Sequence, residues 1–235
     1  MQKHFLCVLA LSLGMVLAAP THADPKADKL LAEVTTFFTN LHSISLQEVS
    51  INTLDKKTSK QVMTLKLQKP NKAVRITTGT TMIPGAPADY AVYADGETLW
   101  THGTSTKSYS KEPLILPVLQ VTIPDTVAEL CFMPNAITND PLGVYGYTTH
   151  YVGTATVDGV ACEVVEVWIA HMTPGKRTYY IGPDKMLRRV TSSTKSAMGF
   201  LHWDEHITQI KINPVFKASE FVFTPPPGAK ADLER

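Results

Sequence analysis

Three short turn sequences constrain the fold of this chain most, because each lies between two segments of strand character. They are Asp95-Gly96, Asp158-Gly159 and Gly182-Pro183-Asp184. Asp-Gly between such segments is a strong signal for a β-hairpin, in which consecutive strands pair antiparallel. Repeated hairpins predict one antiparallel sheet, and about ten strands in one domain have to curl.

A further strand is predicted near the end of the chain, at Phe221–Phe223. Side chains alternate between the two faces of a strand, so both phenylalanines are expected on one face. Three prolines, Pro225 to Pro227, follow almost at once. Proline has no N–H to donate to a neighbouring strand, so this run is expected to end the pairing and to close the sheet at an edge.

An amphipathic helix is predicted ahead of the strands. Asp24 is a suitable N-cap, and Pro25 suits the first helical position. An apolar stripe follows at helical spacing, made up of Leu30, Leu31, Val34, Phe37, Phe38 and Leu41. The stripe needs a large apolar partner, so we expect the helix to cover one face of the sheet. One helix cannot cover ten strands completely, which predicts an apolar hollow on the concave face. A second, short helix is predicted over Ile123–Met133.

The first 23 residues have the pattern of a secretory signal peptide. A short polar start is followed by an uncharged apolar run from Phe5 to Ala19, and small residues precede a cleavage site after Ala23. The apolar run is shorter than the roughly 20 residues that a membrane span needs. We therefore expect cleavage, and one soluble domain over residues 24–235 outside the cytoplasm.

The charge balance argues against a nucleic-acid partner. The whole chain has 22 Lys+Arg and 21 Asp+Glu, and residues 1–23 contain one lysine and no acid. The expected mature chain therefore carries 21 charges of each sign and a net charge of zero. Nucleic-acid binding selects for a basic surface, which this composition does not indicate.

Two cysteines, Cys131 and Cys162, remain after the expected cleavage. In an oxidising compartment such a pair is a candidate for a disulfide. Two separate buried thiols are the alternative, because the sequence does not show whether the two Cα atoms approach each other.

Three segments carry a resemblance to a known family. They are Leu65-Lys66-Leu67-Gln68-Lys69-Pro70-Asn71, Asp95-Gly96-Glu97-Thr98-Leu99-Trp100, and the segment from Phe221 to Gly228. In order and spacing they resemble the periplasmic lipoprotein carriers of the LolA superfamily, which also includes LolB-like outer-membrane receptors and RseB-like periplasmic sensors. The chain is most similar to the predicted periplasmic members of unknown function.

The resemblance implies a mainly β fold, an incompletely closed antiparallel half-barrel of about eleven strands with helices as a lid. It also implies that acyl chains bind between barrel and lid, where each buried CH₂ contributes roughly 0.8 kcal/mol. The expected cavity and lid residues are Leu30, Leu31, Val34, Phe37, Phe38, Leu41, Leu65, Leu67 and Trp100. Plain core packing between helix and sheet is the alternative for the apolar residues, and Trp100 could face either way.

Lys69 is the candidate for a lid latch. In the carriers, an arginine just before Pro-Asn hydrogen-bonds to the lid and holds the free form closed, and Lys69 stands at that position here. Lysine is a point charge without the planar fork of arginine. The departure therefore indicates a divergent relative of the carrier.

His202-Trp203-Asp204-Glu205-His206 matches the inverted zinc-protease motif H-x-x-E-H. That chemistry needs both histidines on one face of a helix, and the apolar positions Phe200, Trp203, Ile207 and Ile210 fit a helix. The segment Phe200–Ile212 also alternates as a strand, which would place the histidines roughly 13 Å apart. A solvated strand face is the favoured interpretation, with no metal, no catalytic residue and no cofactor.

The function predicted from these features is binding or transport of an acylated ligand, a lipid or lipoprotein, by a periplasmic monomer without catalysis. A sensor or interaction module on the same fold, with a membrane-bound partner protein, is the alternative. A zinc hydrolase that uses His202 and His206 is a remote third hypothesis.

Overall fold

A single twelve-stranded sheet dominates the computed structural model, which describes residues 24–81, 89–114, 147–169, 175–196 and 199–232. The elements are α1 (Pro25–Asn40), β1 (Ser43–Leu54), β2 (Lys57–Gln68), β3 (Lys72–Gly79), β4 (Tyr90–Asp95), β5 (Thr98–Gly103), β6 (Ser108–Pro113), β7 (Tyr147–Val157), β8 (Val160–Ile169), β9 (Gly175–Ile181), β10 (Leu187–Ser196), β11 (Gly199–Ile212), a 3₁₀ turn (Ala218–Phe221) and β12 (Lys230–Ala231). The predicted helix over Ile123–Met133, the proposed signal peptide and Cys131 lie outside the described residues.

The strand order is β12-β6-β5-β4-β3-β2-β1-β11-β10-β9-β8-β7, so the sheet is open between β12 and β7. Each pairing is antiparallel except that of β12 with β6, which is parallel. β1 pairs with both β2 and β11 and thereby joins the two halves of the chain. The predicted half-barrel is confirmed, with twelve strands where about eleven were expected.

All three predicted hairpins are present. Asp95-Gly96 connects β4 to β5, Asp158-Gly159 connects β7 to β8, and the Gly182–Asp184 segment lies between β9 and β10. Gly96 has a φ of 114°, a conformation that favours glycine. The polar strand β6, by contrast, has no apolar alternation, and its position follows from pairing with β5.

The prediction that Phe221–Phe223 forms the last strand is wrong. Phe221 ends the 3₁₀ turn, and residues 222–226 have no ladder partner. The predicted alternation is still present, because Phe221 and Phe223 are buried and Val222 is exposed. The chain makes its last strand pairing further on, between β12 and β6.

Phe223 is buried across a face of the sheet instead of along an edge. Its ring centroid lies 5.4 Å from that of Tyr93, 5.5 Å from Trp100 and 5.6 Å from Tyr109. His102 completes the surroundings at 5.7 Å. Packing on four rings buries the side chain without any backbone pairing, which explains why the strand pattern did not produce a strand.

The helix α1 covers the other face of the sheet, called here the inner face. This face carries Leu65 and Leu67 of β2, and the face that Phe223 covers is called the outer face. The main core cluster lies on the inner face and includes Ala27, Leu30, Leu31, Val34, Phe38, Leu41, Ile44, Leu46, Leu65, Leu67, Val92, Leu99, Val165, Val167, Ile181, Leu187, Val190 and Ile207. The C-terminal segment and α1 therefore cover opposite faces of one sheet.

We expect Phe223→Ala to lower the free energy of unfolding by about 3 kcal/mol, since it removes a buried ring and leaves a cavity among aromatic side chains. Phe223→Leu, which keeps most of the volume, should cost about 1 kcal/mol. Urea denaturation of both variants measures the difference. Equal and negligible losses would contradict the placement of this segment.

Candidate functional site

The apolar stripe of α1 and two residues of β2 meet on the inner face. Leu30, Leu31, Val34, Phe38 and Leu41 are buried, and so are Leu65 and Leu67 in the same cluster. Phe37 is partly buried and packs edge-on against Phe38, with ring centroids 5.1 Å apart. The structure thus brings together eight of the nine residues predicted for the cavity and lid. Their contact with a ligand stays a prediction.

Trp100, the ninth predicted cavity residue, lies on the outer face. Its β5 neighbour Leu99 belongs to the inner cluster, and side chains alternate along a strand. Trp100 instead contacts Phe223, Tyr109 and the ammonium group of Lys111, which lies 5.0 Å from its ring centroid. The assignment of Trp100 to the cavity is therefore corrected: it supports the C-terminal segment.

Lys69 holds the C-terminal end of α1. Its Nζ donates hydrogen bonds to the carbonyl oxygens of Phe38 at 2.6 Å and Thr39 at 3.0 Å. The last carbonyls of a helix have no partner within the helix and carry its negative dipole end, so a cation is favourable there. Lysine can make this contact without a planar fork, because the two acceptors are single carbonyls.

Asp24 holds the other end of α1. As the predicted N-cap it accepts hydrogen bonds from the N–H groups of Lys26 at 2.9 Å and Ala27 at 3.3 Å. Its second carboxylate oxygen accepts from the N–H of Tyr151 on β7 at 2.8 Å. The Tyr151 N–H lowers the pKa of Asp24 most, partial burial opposes it, and the N–H groups of Ala27 and Lys26 add to the lowering. One carboxylate thus caps the helix and ties it to the sheet.

Further polar contacts run along the exposed side of α1. Thr149 of β7 donates to Asp28 at 2.6 Å, and Lys26 lies 3.5 Å from the ring centroid of Tyr151. Glu33 pairs with Lys185 in the turn between β9 and β10. These contacts are exposed or half-buried, so each contributes little. Removal of α1 from the sheet would therefore be resisted mainly by its apolar stripe.

The H-x-x-E-H segment lies on β11. The hypothesis of a helix that presents both histidines on one face is therefore wrong. Asp204 forms a bidentate pair with Arg189, with both nitrogen–oxygen distances 2.7 Å. Burial raises the pKa of Asp204, but Arg189, together with His206 and His202, keeps that pKa below its ordinary value. His202 Nδ1 lies 2.9 Å from the Ser193 hydroxyl. Within the described ranges, no three His, Cys, Asp or Glu side chains form a group suited to a metal ion.

Cys162 is buried on β8 and has no disulfide partner among the described residues, and burial raises the pKa of its thiol. Its Sγ lies 3.5 Å from the carbonyl oxygen of Val160. Cys131 lies outside the described residues, so the disulfide between them stays a prediction.

A polar cavity occupies another part of the inner face, and the sequence analysis missed it. Its volume is about 260 Å³, and it is lined by Glu48, Ser50, Asn52, Gln61, Met63, Arg75, Thr77, Tyr90, Trp203 and Glu205. Glu48 and Arg75 are 5% and 7% exposed, unusual values for charged side chains. The strand alternation already indicated this cavity. Glu48 is two residues after Leu46 and Arg75 is two residues after Ala73, so both charged side chains occupy inward positions.

The three segments that carry the family resemblance also meet in space. Asn71, after the Lys-Pro pair, donates from Nδ2 to the carbonyl oxygen of Gly96 at 2.6 Å. Trp100 of the same hairpin contacts Phe223. The three segments therefore build one side of the scaffold, and the polar cavity contains none of their residues.

A family model described as "Predicted periplasmic protein (DUF2092)" matches residues 27–231. The chain belongs to the DUF2092 family. The resemblance to predicted periplasmic proteins of unknown function is thereby confirmed, and the family match indicates no enzyme class. In the ranges that the structure describes, no helix is long and apolar enough to cross a membrane. Comparison with curated proteins gives no significant match.

Solved structures similar to this DUF2092 protein include LprF from Mycobacterium bovis, with 17% identity, 88% of this chain and 99% of that chain covered, and a TM-score of 0.49. A LolA superfamily protein from Nitrosomonas europaea has 11% identity, 84% and 97% coverage and a TM-score of 0.41. The MucA/MucB complex of Pseudomonas aeruginosa gives 14% identity, 85% and 61% coverage and a TM-score of 0.46. Similarity of this degree carries no functional information.

We expect Lys69→Met to lower the free energy of unfolding by about 1 kcal/mol, because two helix carbonyls lose a charged donor. Hydrogen exchange should rise in the last turn of α1 more than elsewhere. Lys69→Arg, which keeps a donor and a charge, should show a smaller change. If hydrogen exchange in the last turn of α1 rose no more than elsewhere in the methionine variant, Lys69 would not hold α1.

Asp24→Asn should reduce the acid sensitivity of the protein. The folded pKa of Asp24 lies below the unfolded value of about 4. Its stabilisation is therefore complete above that unfolded value and is lost as the pH falls through the folded pKa. Asparagine also caps helices but has no such charge to lose.

Thermal unfolding between pH 6 and pH 2.5 measures the effect as the difference between the two proteins. Since other carboxylates titrate in both, only that difference reports Asp24. We expect the wild type to be the more stable near neutral pH, with the gap narrowing towards pH 2.5. A gap that does not change with pH would contradict the prediction.

Proposed function

We propose that this protein binds an acylated amphiphile on the inner face of its half-barrel, and carries or presents it in the periplasm without a catalytic step. One observation carries the proposal: among the described residues, α1 packs on the apolar inner face of the sheet, and its stripe supplies apolar contacts that an acyl chain could supply instead. The family description supports the periplasmic location.

The physical basis is the replacement of apolar side chains of α1 by an apolar acyl chain. Leu31, Val34 and Phe38 of α1 are almost completely buried against the sheet. An acyl chain that displaced them would cover the same surface and would gain roughly 0.8 kcal/mol for each CH₂ removed from water. The polar contacts at Asp24 and Lys69 position α1 and contribute less than the stripe itself. The helix is in this view a lid whose closed form is stabilised by its own apolar side chains.

The test is the dependence of affinity on chain length. Alkylphosphocholines with eight, ten and twelve carbons are titrated as monomers, and native mass spectrometry of gently purified protein looks for co-purified acylated molecules. If the chain is buried, affinity should rise by about fourfold per added methylene. Binding that does not depend on chain length, or no binding at all, would refute the proposal. A stoichiometric protein partner without lipid would support the sensor hypothesis instead.

Two alanine variants provide a matched control. Phe38→Ala under α1 and Phe223→Ala on the outer face each remove one buried ring, so both should lose about 3 kcal/mol of stability. Only Phe38→Ala should bind the twelve-carbon probe more tightly, because the chain no longer has to displace that ring. Equal affinities in the two variants would place the chain somewhere other than under α1.

A further inference from the structure

A buried arginine in the polar cavity has hydrogen-bond donors without acceptors. Arg75 of β3 is 7% exposed, and neither its Nε nor its Nη1 has a hydrogen-bond partner among the described residues. Its guanidinium carbon lies 5.3 Å from the ring centroid of Tyr90. Thr77, two residues further along the same face, also has a buried hydroxyl for which the described residues supply no hydrogen-bond partner. A guanidinium does not lose its proton, so Arg75 is a buried positive charge whose donors a ligand could fill.

The opposite wall of the cavity is acidic. Glu48 lies on β1, and Glu205 lies on β11, where it pairs in register with Ser50. β2 separates β1 from β3, so the backbones of β1 and β3 are about 10 Å apart, and β11 lies one strand spacing further from β3. Gln61 and Met63 of β2 line the cavity between the walls. The cavity therefore has one cationic wall and one wall with two carboxylates.

This charge pattern distinguishes between kinds of ligand. An anion would fill the donors of Arg75 but would face two carboxylates, and a cation would leave those donors empty. A group with both charges suits both walls, because charge-assisted hydrogen bonds are the stronger ones and like charges repel. We propose that the cavity binds the zwitterionic head group of an amphiphile, with its phosphate or carboxylate on Arg75 and its cationic group towards Glu48 and Glu205.

The size and position of the cavity suit a head group. Its volume of about 260 Å³ is smaller than the roughly 300–1,000 Å³ of pockets for drug-sized ligands. Met63 lines the cavity and also belongs to the core cluster that contains Leu65. A head group in the cavity would thus direct its chain along β2 towards α1. In this respect the inference rests on the proposed function and adds the chemistry of the head group.

The experiment compares four probes with the same twelve-carbon chain below their micelle concentrations. They are dodecylphosphocholine, dodecyl phosphate, dodecyltrimethylammonium and dodecyl maltoside, with free phosphocholine as the head group alone. Trp203 lines the cavity, so its fluorescence reports binding, and Trp203→Phe should abolish the signal. We expect the zwitterion to bind at least about tenfold more tightly than the other three, one strong charged contact being worth about that factor.

Arg75→Met is the decisive variant. It should weaken the binding of dodecylphosphocholine by about 10- to 100-fold and leave dodecyl maltoside unchanged. Its melting temperature should stay the same or rise, because methionine replaces a buried charge, two of whose three nitrogens lack hydrogen-bond partners among the described residues, by an apolar side chain. Lys211→Met removes a positive charge from an exposed position of β11 and should change neither quantity. Arg75→Lys keeps the charge, so its affinity for dodecylphosphocholine should lie between those of the wild type and Arg75→Met.

The outcomes separate this inference from the proposed function. Equal binding of all four probes, unchanged in Arg75→Met, would overturn the head-group site and leave acyl binding intact. Tightest binding of dodecyl phosphate or of dodecyltrimethylammonium would overturn the zwitterionic assignment. No binding of any probe would overturn the proposed function together with the inference. Loss of zwitterion binding in a folded Arg75→Met protein supports the site.

Discussion

The structure depends on the burial of one helical stripe against the inner face of an open sheet. A sheet of twelve strands that does not close leaves a large apolar face, and α1 covers part of it with Leu31, Val34 and Phe38. The stripe shares its core cluster with apolar side chains of β2, β8 and β10. The polar contacts at the two ends of α1 orient the helix, but the area that the stripe buries holds it in place. Another apolar body could take the place of the stripe and cover the same surface.

The two faces of the sheet serve different purposes. On the outer face, the C-terminal segment inserts Phe223 among four aromatic rings and so fixes the course of the chain after β11. On the inner face, the apolar core under α1 adjoins a polar cavity through Met63. An amphiphile needs both kinds of surface next to each other. The inner face is therefore the part of the described structure that offers an amphiphile both an apolar and a polar surface.

Much of the candidate site was predictable because it follows local rules. The stripe of α1, its cap at Asp24 and the inward positions Leu65 and Leu67 follow from helical and strand periodicity. The face on which Trp100 lies was not predictable, because a strand pattern defines two faces without saying which one α1 covers. The cavity was missed for a related reason. Glu48 and Arg75 occupy inward positions on strands that are not neighbours, and only the sheet order brings their side chains to one space.

The sequence by itself determined the antiparallel sheet, the helix ahead of it and the positions of three hairpins, because turn chemistry and periodicity act over a few residues. It also predicted that Phe221 and Phe223 would alternate with Val222, and both phenylalanines are buried while Val222 is exposed. Only the tertiary structure decided that this segment lies across a face instead of pairing at an edge, since the burial of a ring depends on rings from β4, β5 and β6. It likewise decided that Lys69 reaches the end of α1 and that a buried arginine faces an acidic wall, because those contacts join residues far apart in the chain.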